Sequence, residues 1–180
     1  TVTSLIATIH DWLCNLDQGN DICVIFFDYK KAFDSVPHGP LMDKLHNIGL
    51  NEHILRWIWN YLSNRLQQVA VNGSVSSTIP VRSGVPQGSV LGPLLFIIYI
   101  NDLTLLPLAD GSKLSLFADD VVLYRPISML PDYSKIQCDI TTIEGWSNSN
   151  FLSLNPQKCK YMIVSRRRSP LLPSNALQLY

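Results

Sequence analysis

The sequence predicts an α+β fold, a split βαβ sheet with helices packed on one face. Three observations predict it. Ile22-Cys23-Val24-Ile25-Phe26-Phe27 is an unbroken apolar run rich in β-branched and aromatic residues, the pattern of a strand buried on both faces. Leu114 to Tyr124 reads as a hairpin with two acids, Asp119 and Asp120, at its tip. Tyr161 to Val164 reads as a last strand behind a helical stretch. Setting aside a minor hairpin and the entry helix, the order is strand, helices, hairpin, helix, strand.

Taken in order, Thr3 to Leu16 carries Leu5, Ile6, Ile9, Leu13 and Leu16 at helical spacing. A polar break over Asp17 to Asn20 separates this helix from the first strand, which ends at Asp28. Pro40, then Leu41, Leu45 and Ile48 with Gly49 behind them, give a short helix with a proline start and a glycine stop. Asn51 can cap the next helix, whose face is Ile54, Leu55, Ile58, Tyr61 and Leu62. Gln67 to Ser76 folds back at Asn72-Gly73, a dipeptide suited to a type I′ turn. A Gly/Pro-rich loop, Ser83 to Ser89, leads into the apolar stretch Val90 to Ile100, read as a buried helix because it is too short to span a bilayer. Asp132 is placed to cap a helix with Ile136, Ile140 and Ile143 inward. Beyond Arg166 the tail, with Arg166-Arg167-Arg168 and two prolines, is expected to be irregular.

With 180 residues, 47 % of them apolar, the chain fits one domain with a sizeable core. Its formal net charge of zero gives no hint of a polyanionic partner. Cys14, Cys23, Cys138 and Cys159 show no C-x-x-C spacing, so reduced thiols in an intracellular protein are expected rather than disulfides or a zinc site. No signal-peptide pattern is visible, no membrane partner is expected, and the chain reads as a piece of a longer protein. Trp12, Trp57, Trp59 and Trp146 are expected in the core or at domain contacts.

Asp119 and Asp120 carry the chemistry. Two carboxylates about 4 Å apart repel by roughly 4 kcal/mol at an effective dielectric near 20. Lys113 and Arg125 are the nearest cations in sequence. A divalent cation can offset that charge, and so can water around an exposed hairpin tip. Asp28 ends the buried strand and, in a split βαβ sheet, can reach the same point in space. Three acids on adjacent strands would suit hard, oxygen-seeking ions, and two such ions can stabilise the attacking and leaving oxygens of a phosphoryl transfer. Taken alone, Asp28 reads better as a helix N-cap or turn acid; together with Asp119 and Asp120 the balance tips to metal. Asp34 is read as structural, at helical spacing from Lys30 and Lys31.

Phe27-Asp28-Tyr29-Lys30-Lys31-Ala32-Phe33-Asp34-Ser35-Val36-Pro37-His38 resembles motif A of reverse transcriptases. Ser83 to Pro93 resembles their motif B, Phe117-Ala118-Asp119-Asp120 their motif C, and Leu154-Asn155-Pro156-Gln157-Lys158-Cys159-Lys160 their motif D. The wording is similar to the non-LTR (LINE-type) retrotransposon branch, with all four motifs in family order over nearly the whole chain. The resemblance implies a polymerase palm, a ferredoxin-like sheet. It implies that residues 1–165 form a partial reverse transcriptase domain, palm with part of the fingers, and that 166–180 lead towards a thumb outside the chain.

The same resemblance implies roles. Asp28 and Asp119 would bind two Mg²⁺ ions, with Mn²⁺ a possible substitute, and Asp120 would support the site. Phe33 would lie beneath the incoming sugar and favour dNTP over rNTP, although by composition it is also an ordinary core residue. Gln87 and Gly88 would contact the nascent base pair and nucleotide. Arg82 would meet phosphate or template, and Lys158 would protonate or neutralise the departing pyrophosphate. For both cations a solvated surface position is the plain alternative. The implied partners are an RNA template, a DNA primer and dNTP, together with fingers and thumb segments of the parent chain. Two rival readings are a decayed retroelement palm that serves only as a nucleic-acid-binding or scaffold module, and a nucleotide cyclase on the same layout.

Overall fold

The computed structural model describes residues 2–175 and 177–178. The chain divides into two compact units, Thr1–Lys30 with Leu103–Tyr180, and Lys31–Asp102.

The first unit holds the sheet. Helix α1 (Val2–Asp17) leads to strand β1 (Asp21–Phe27); β6 (Lys113–Phe117) and β7 (Asp120–Ile127) form the hairpin, helix α6 (Asp132–Ser149) follows, and β8 (Lys160–Val164) completes the set. Strand order is β6-β7-β1-β8, with every neighbouring pair antiparallel. β1 and β6 therefore run parallel with β7 between them, which is the split βαβ arrangement. β1 is central because its side chains can be covered on both sides; Ile22, Val24 and Ile25 are fully buried and only Phe26 is exposed. Each such burial contributes about 1.5–3 kcal/mol. Alternation sorts the neighbours. Ile22, Val24 and Tyr124 pack with Leu16 and Trp12 of α1, and the Trp12 and Tyr124 rings meet edge-on at 5.8 Å. On the other face, Arg125 reaches Asp132 at the start of α6 (3.6 Å), and Ile136, Ile140 and Ile143 point inward as expected.

Asp132 differs in detail from the cap the sequence suggests. It is the first residue of α6, and its Oδ2 accepts from the N–H groups of Ser128 (3.1 Å) and Met129 (3.2 Å) upstream. The irregular tail is tied down by Asp21, which is fully buried. Asp21 accepts from Leu171 N–H at 2.8 Å and from the Ser165 hydroxyl, and pairs with Arg167 at 3.5 Å. Cys23 and Cys159 are buried and Cys14 and Cys138 exposed, all four as free thiols.

The second unit is mostly helical: α2 (Ala32–Ser35), α3 (His38–Asn47), α4 (Glu52–Leu62) and α5 (Leu91–Ile100). Asn51 caps α4 through Oδ1, which accepts from Ile54 N–H at 3.0 Å. Leu41, Leu45, Leu55, Ile58, Leu62, Leu95 and Phe96 are buried. One feature differs from expectation. α5 is buried along one side only, since Leu94 and Ile97 are about half exposed. Trp57 and Trp59 of α4 are 59 % and 46 % exposed, which leaves domain contact as the remaining expectation for them. The Asn72-Gly73 turn joins β3 (Ala70–Val71) to β4 (Ser74–Val75), with φ of 48° and 82° as type I′ requires. Around it β2 (Leu66–Gln67) pairs with β5 (Ile79–Pro80), a ladder too short to leave a pattern in the sequence.

Candidate active site

β1, the β6–β7 turn and the entry to β8 all reach the same end of the sheet. β1 pairs with β7 up to Phe27 and Val121, so Asp28, which follows Phe27, and Asp120, which precedes Val121, lie at the same end of this ladder. Phe117 pairs with Asp120, leaving Ala118 and Asp119 as a two-residue turn. Ala118 takes φ 54°, a conformation costly for a residue with a Cβ, and this sharp reversal puts both acids at the tip.

The segment before β8 wraps the Asp28 backbone. Asp28 O accepts from Asn155 N–H at 2.8 Å, and Lys30 N–H donates to Ser153 O at 2.8 Å. Asp28 N–H donates to the Cys159 sulfur at 3.5 Å. Next to it, buried Tyr29 shares a hydrogen bond with the Ser147 hydroxyl of α6 at 3.1 Å. Cys159 is thus a contact of the candidate site that sequence reasoning treated only as a buried thiol; its place inside motif D was the available signal.

The Asp28 carboxylate is unevenly served. Oδ2 lies 3.7 Å from Lys158 Nζ, while Oδ1 is buried with no hydrogen-bond partner. An unbonded buried carboxylate oxygen is costly, and an electropositive ligand would relieve that cost. Asp119 and Asp120 are exposed, so water shares their charge. Among the described residues, no three His, Cys, Asp or Glu side chains gather as a group able to hold a metal ion. The structure therefore brings Asp28 and the paired acids to one sheet end without closing them into the three-carboxylate cage that sequence reasoning anticipated. The donors are all hard oxygens, and the orphaned Asp28 Oδ1 fits a divalent cation.

The remaining sequence-predicted residues lie in the unit 31–102. Phe33 is half-buried and stacks on Phe96, centroids 4.4 Å apart. The loop behind it is stapled to residues 33–38: Val85 N–H donates to Phe33 O (2.8 Å), Gly84 N–H to Val36 O (2.7 Å), and His38 Nε2 meets Gly84 O at 2.9 Å. Gly84 sits at φ 90°, and a Cβ there would come within 2.7 Å of Asp34 Cα, so only glycine fits. Gly88, at φ 76°, has open space around it. Gln87 is exposed, and its Nε2 donates to Asp34 Oδ1 at 3.0 Å. Asp34 thereby gains a long-range partner that its local lysines gave no reason to expect. Arg82 is exposed.

The family model described as "Reverse transcriptase (RNA-dependent DNA polymerase)" matches residues 3–171. The chain belongs to the reverse transcriptase family. Relatives of this reverse transcriptase chain include two Drosophila melanogaster proteins. "Probable RNA-directed DNA polymerase from transposon BS" is 34 % identical over 74 % of the chain. "RNA-directed DNA polymerase from mobile element jockey" is 30 % identical over 79 %. They belong to non-LTR retrotransposons, the branch the motif wording resembles. The chain spans only 15 % and 16 % of the lengths of these two proteins. Telomerase from Candida albicans shares the fold, with TM-score 0.67 at 16 % identity, over 94 % of this chain and 31 % of that one.

Proposed function

We propose that this reverse transcriptase chain is the palm, with part of the fingers, of a polymerase that copies RNA into DNA. The reaction joins a primer 3′-oxygen to the α-phosphorus of a dNTP. The bond from that phosphorus to the β-phosphate bridging oxygen breaks, and pyrophosphate leaves. The observation that supports the reading is that Asp28, with its unbonded buried Oδ1, and the Asp119-Asp120 pair lie at the same end of adjacent strands.

Asp28 and Asp119 would hold two divalent cations, Mg²⁺ or Mn²⁺, with Asp120 in support. When bound, these ions lower the cost of negative charge on the entering and leaving oxygens. The chain's own work is placement. The Asn155 and Cys159 contacts fix the backbone that aims Asp28. Lys158, 3.7 Å from Asp28 Oδ2, would give a proton to the departing pyrophosphate or balance its charge. Phe33, held by Phe96, would exclude a 2′-hydroxyl; Gln87, held by Asp34, and Gly88 would contact the nucleotide and its base pair. Segments of the parent polypeptide outside residues 1–180 would supply most of the grip on template and primer.

The test is dNTP incorporation on an RNA template by the intact parent polypeptide, with Mg²⁺ and with Mn²⁺. Asp119→Asn is expected to cut synthesis by about 100-fold or more, as for loss of a main electrostatic contact, with an unchanged circular dichroism spectrum. Near-normal extension by that variant would remove the assignment. A folded but inactive parent would favour the non-catalytic module instead.

A further inference from the structure

Arg166-Arg167-Arg168 stands immediately before Ser169, and Pro170 follows. All four residues from Arg166 to Ser169 are exposed, in the irregular segment behind β8. The proline ring drives Ser169 towards extended backbone. Among the described residues, no hydrogen bond or ion pair engages the side chain of Arg168 or Ser169. The chain on either side is pinned. Ahead of the serine, Arg166 pairs with Asp17, and Arg167 Nε donates to Gly19 O at 3.1 Å and lies 3.5 Å from Asp21 Oδ1. Behind it, Leu171 N–H donates to Asp21 Oδ2 at 2.8 Å, and Leu171 O accepts from the Tyr133 hydroxyl at 2.5 Å. Ser169 thus lies between the two anchored ends of a short clasp, and fully buried Asp21 holds both ends. Ser128 also has an arginine three residues upstream, but Arg125 is buried and the Ser128 hydroxyl is bound to Asp132 at 3.0 Å.

We propose that Ser169 is a phosphorylation site, read by a serine kinase whose peptide groove is acidic, and that the phosphate opens the clasp. Three arginines ahead of an exposed, extended serine present the charge that such a groove recognises. Arg166 is 57 % exposed in spite of its bond to Asp17; a surface pair of that kind is weak, so a kinase carboxylate can replace it. In the reaction the Ser169 oxygen forms a bond to the γ-phosphorus of ATP. The bond from that phosphorus to the β-phosphate bridging oxygen breaks, ADP leaves, and the hydroxyl proton passes to the kinase's base. The product carries about 1.5 to 2 negative charges and three acceptor oxygens, two residues from Arg167. That phosphate competes with Gly19 and Asp21 for the Arg167 guanidinium, whose fork suits it. Asp21 is then left as a buried charge without its cation, while a dianion stands two residues from Leu171. Both effects weaken the Leu171 anchor, and the segment leaves the start of β1. No residue assigned to nucleotidyl transfer takes part, so this inference and the polymerase reading can fail separately.

The test uses the intact parent polypeptide, ATP and a purified arginine-directed serine kinase. Peptide mass spectrometry locates the phosphate, and amide exchange is followed over residues 165–172. Ser169 is expected to be modified, and exchange at the Leu171 amide to rise at least about tenfold, the weight of one hydrogen bond to a charged acceptor. S169A should carry no phosphate in this segment and keep slow exchange in the presence of kinase and ATP. R168Q should lower kcat/KM of the kinase several-fold and leave exchange of the unmodified protein unchanged, since Arg168 takes no part in the clasp. Circular dichroism and urea midpoints establish that both variants fold; the comparison of modified with unmodified wild type needs neither. No phosphate on Ser169 of the folded parent, whether or not a free peptide of residues 163–173 is modified, would overturn the site. Phosphate on Ser169 with unchanged Leu171 exchange would overturn the opening of the clasp. Equal kinase efficiency on R168Q and wild type would overturn recognition by an acidic groove.

Discussion

Lys158 is two-thirds exposed, yet its ammonium lies 3.7 Å from Asp28 Oδ2. An exposed pair of this kind contributes little to stability. Lys158→Gln is expected to leave the unfolding midpoint almost unchanged and to lower kcat for dNTP incorporation by about 100-fold, the range for a missing proton donor. Single-turnover kinetics on an RNA template would check it; an unchanged rate would return Lys158 to an ordinary surface role. The acids at the hairpin tip were readable from sequence because two adjacent carboxylates between apolar runs are rare. The Gln87–Asp34 hydrogen bond was not, because nothing local to Asp34 points to a partner so far along the chain. The contact of Asp28 N–H with the Cys159 sulfur did have a signal, the place of Cys159 inside motif D, which reading it as a buried thiol passed over.

Among the elements, α6 is held at its start by a buried ionic cluster. Burial alone would disfavour charge on Asp132, but Lys135, the Met129 and Ser128 amides and the Ser128 hydroxyl outweigh it and bring the pKa down from 3.8 to about 2. The group is depressed in the folded state, so the unfolded chain binds more protons between these two values. The stability it contributes is complete above the unfolded value and fades as pH falls towards 2. The expected loss is on the order of 2 kcal/mol between pH 5 and pH 2, read as a falling urea midpoint. Asp132→Asn should flatten that pH dependence and lower the midpoint at neutral pH, since Arg125, itself buried, loses its partner. The strands and most helices were legible because periodicity and caps are local properties. α5 was misjudged as wholly buried because a uniformly apolar helix carries no polar stripe to mark its exposed side. The β2–β5 ladder escaped because two residues cannot show an alternation.

For the molecule as a whole, net charge sets an expectation for binding. With formal charge zero, the 180-residue chain should hold a primer–template duplex weakly and extend it poorly, and raising salt should abolish what binding there is. Gel-shift and extension assays against the intact parent would check this, and robust processive synthesis by these residues alone would contradict it. The split βαβ class of the sheet was legible because the sequence of strand, helices, hairpin, helix and strand admits few topologies. The anchoring of the tail at Asp21 was not, because a buried acid at a strand start looks like any turn residue. That same strand order bears on biosynthesis. Phe27 finds its partner only at Val121, and Phe26 finds Lys160 later still. At roughly 5–20 residues per second, the greasiest ribbon of the protein waits about 5–20 s on the ribosome with both its edges bare. Slowed translation of the intervening stretch should therefore raise insoluble product, and chaperones that shield extended apolar segments should rescue yield.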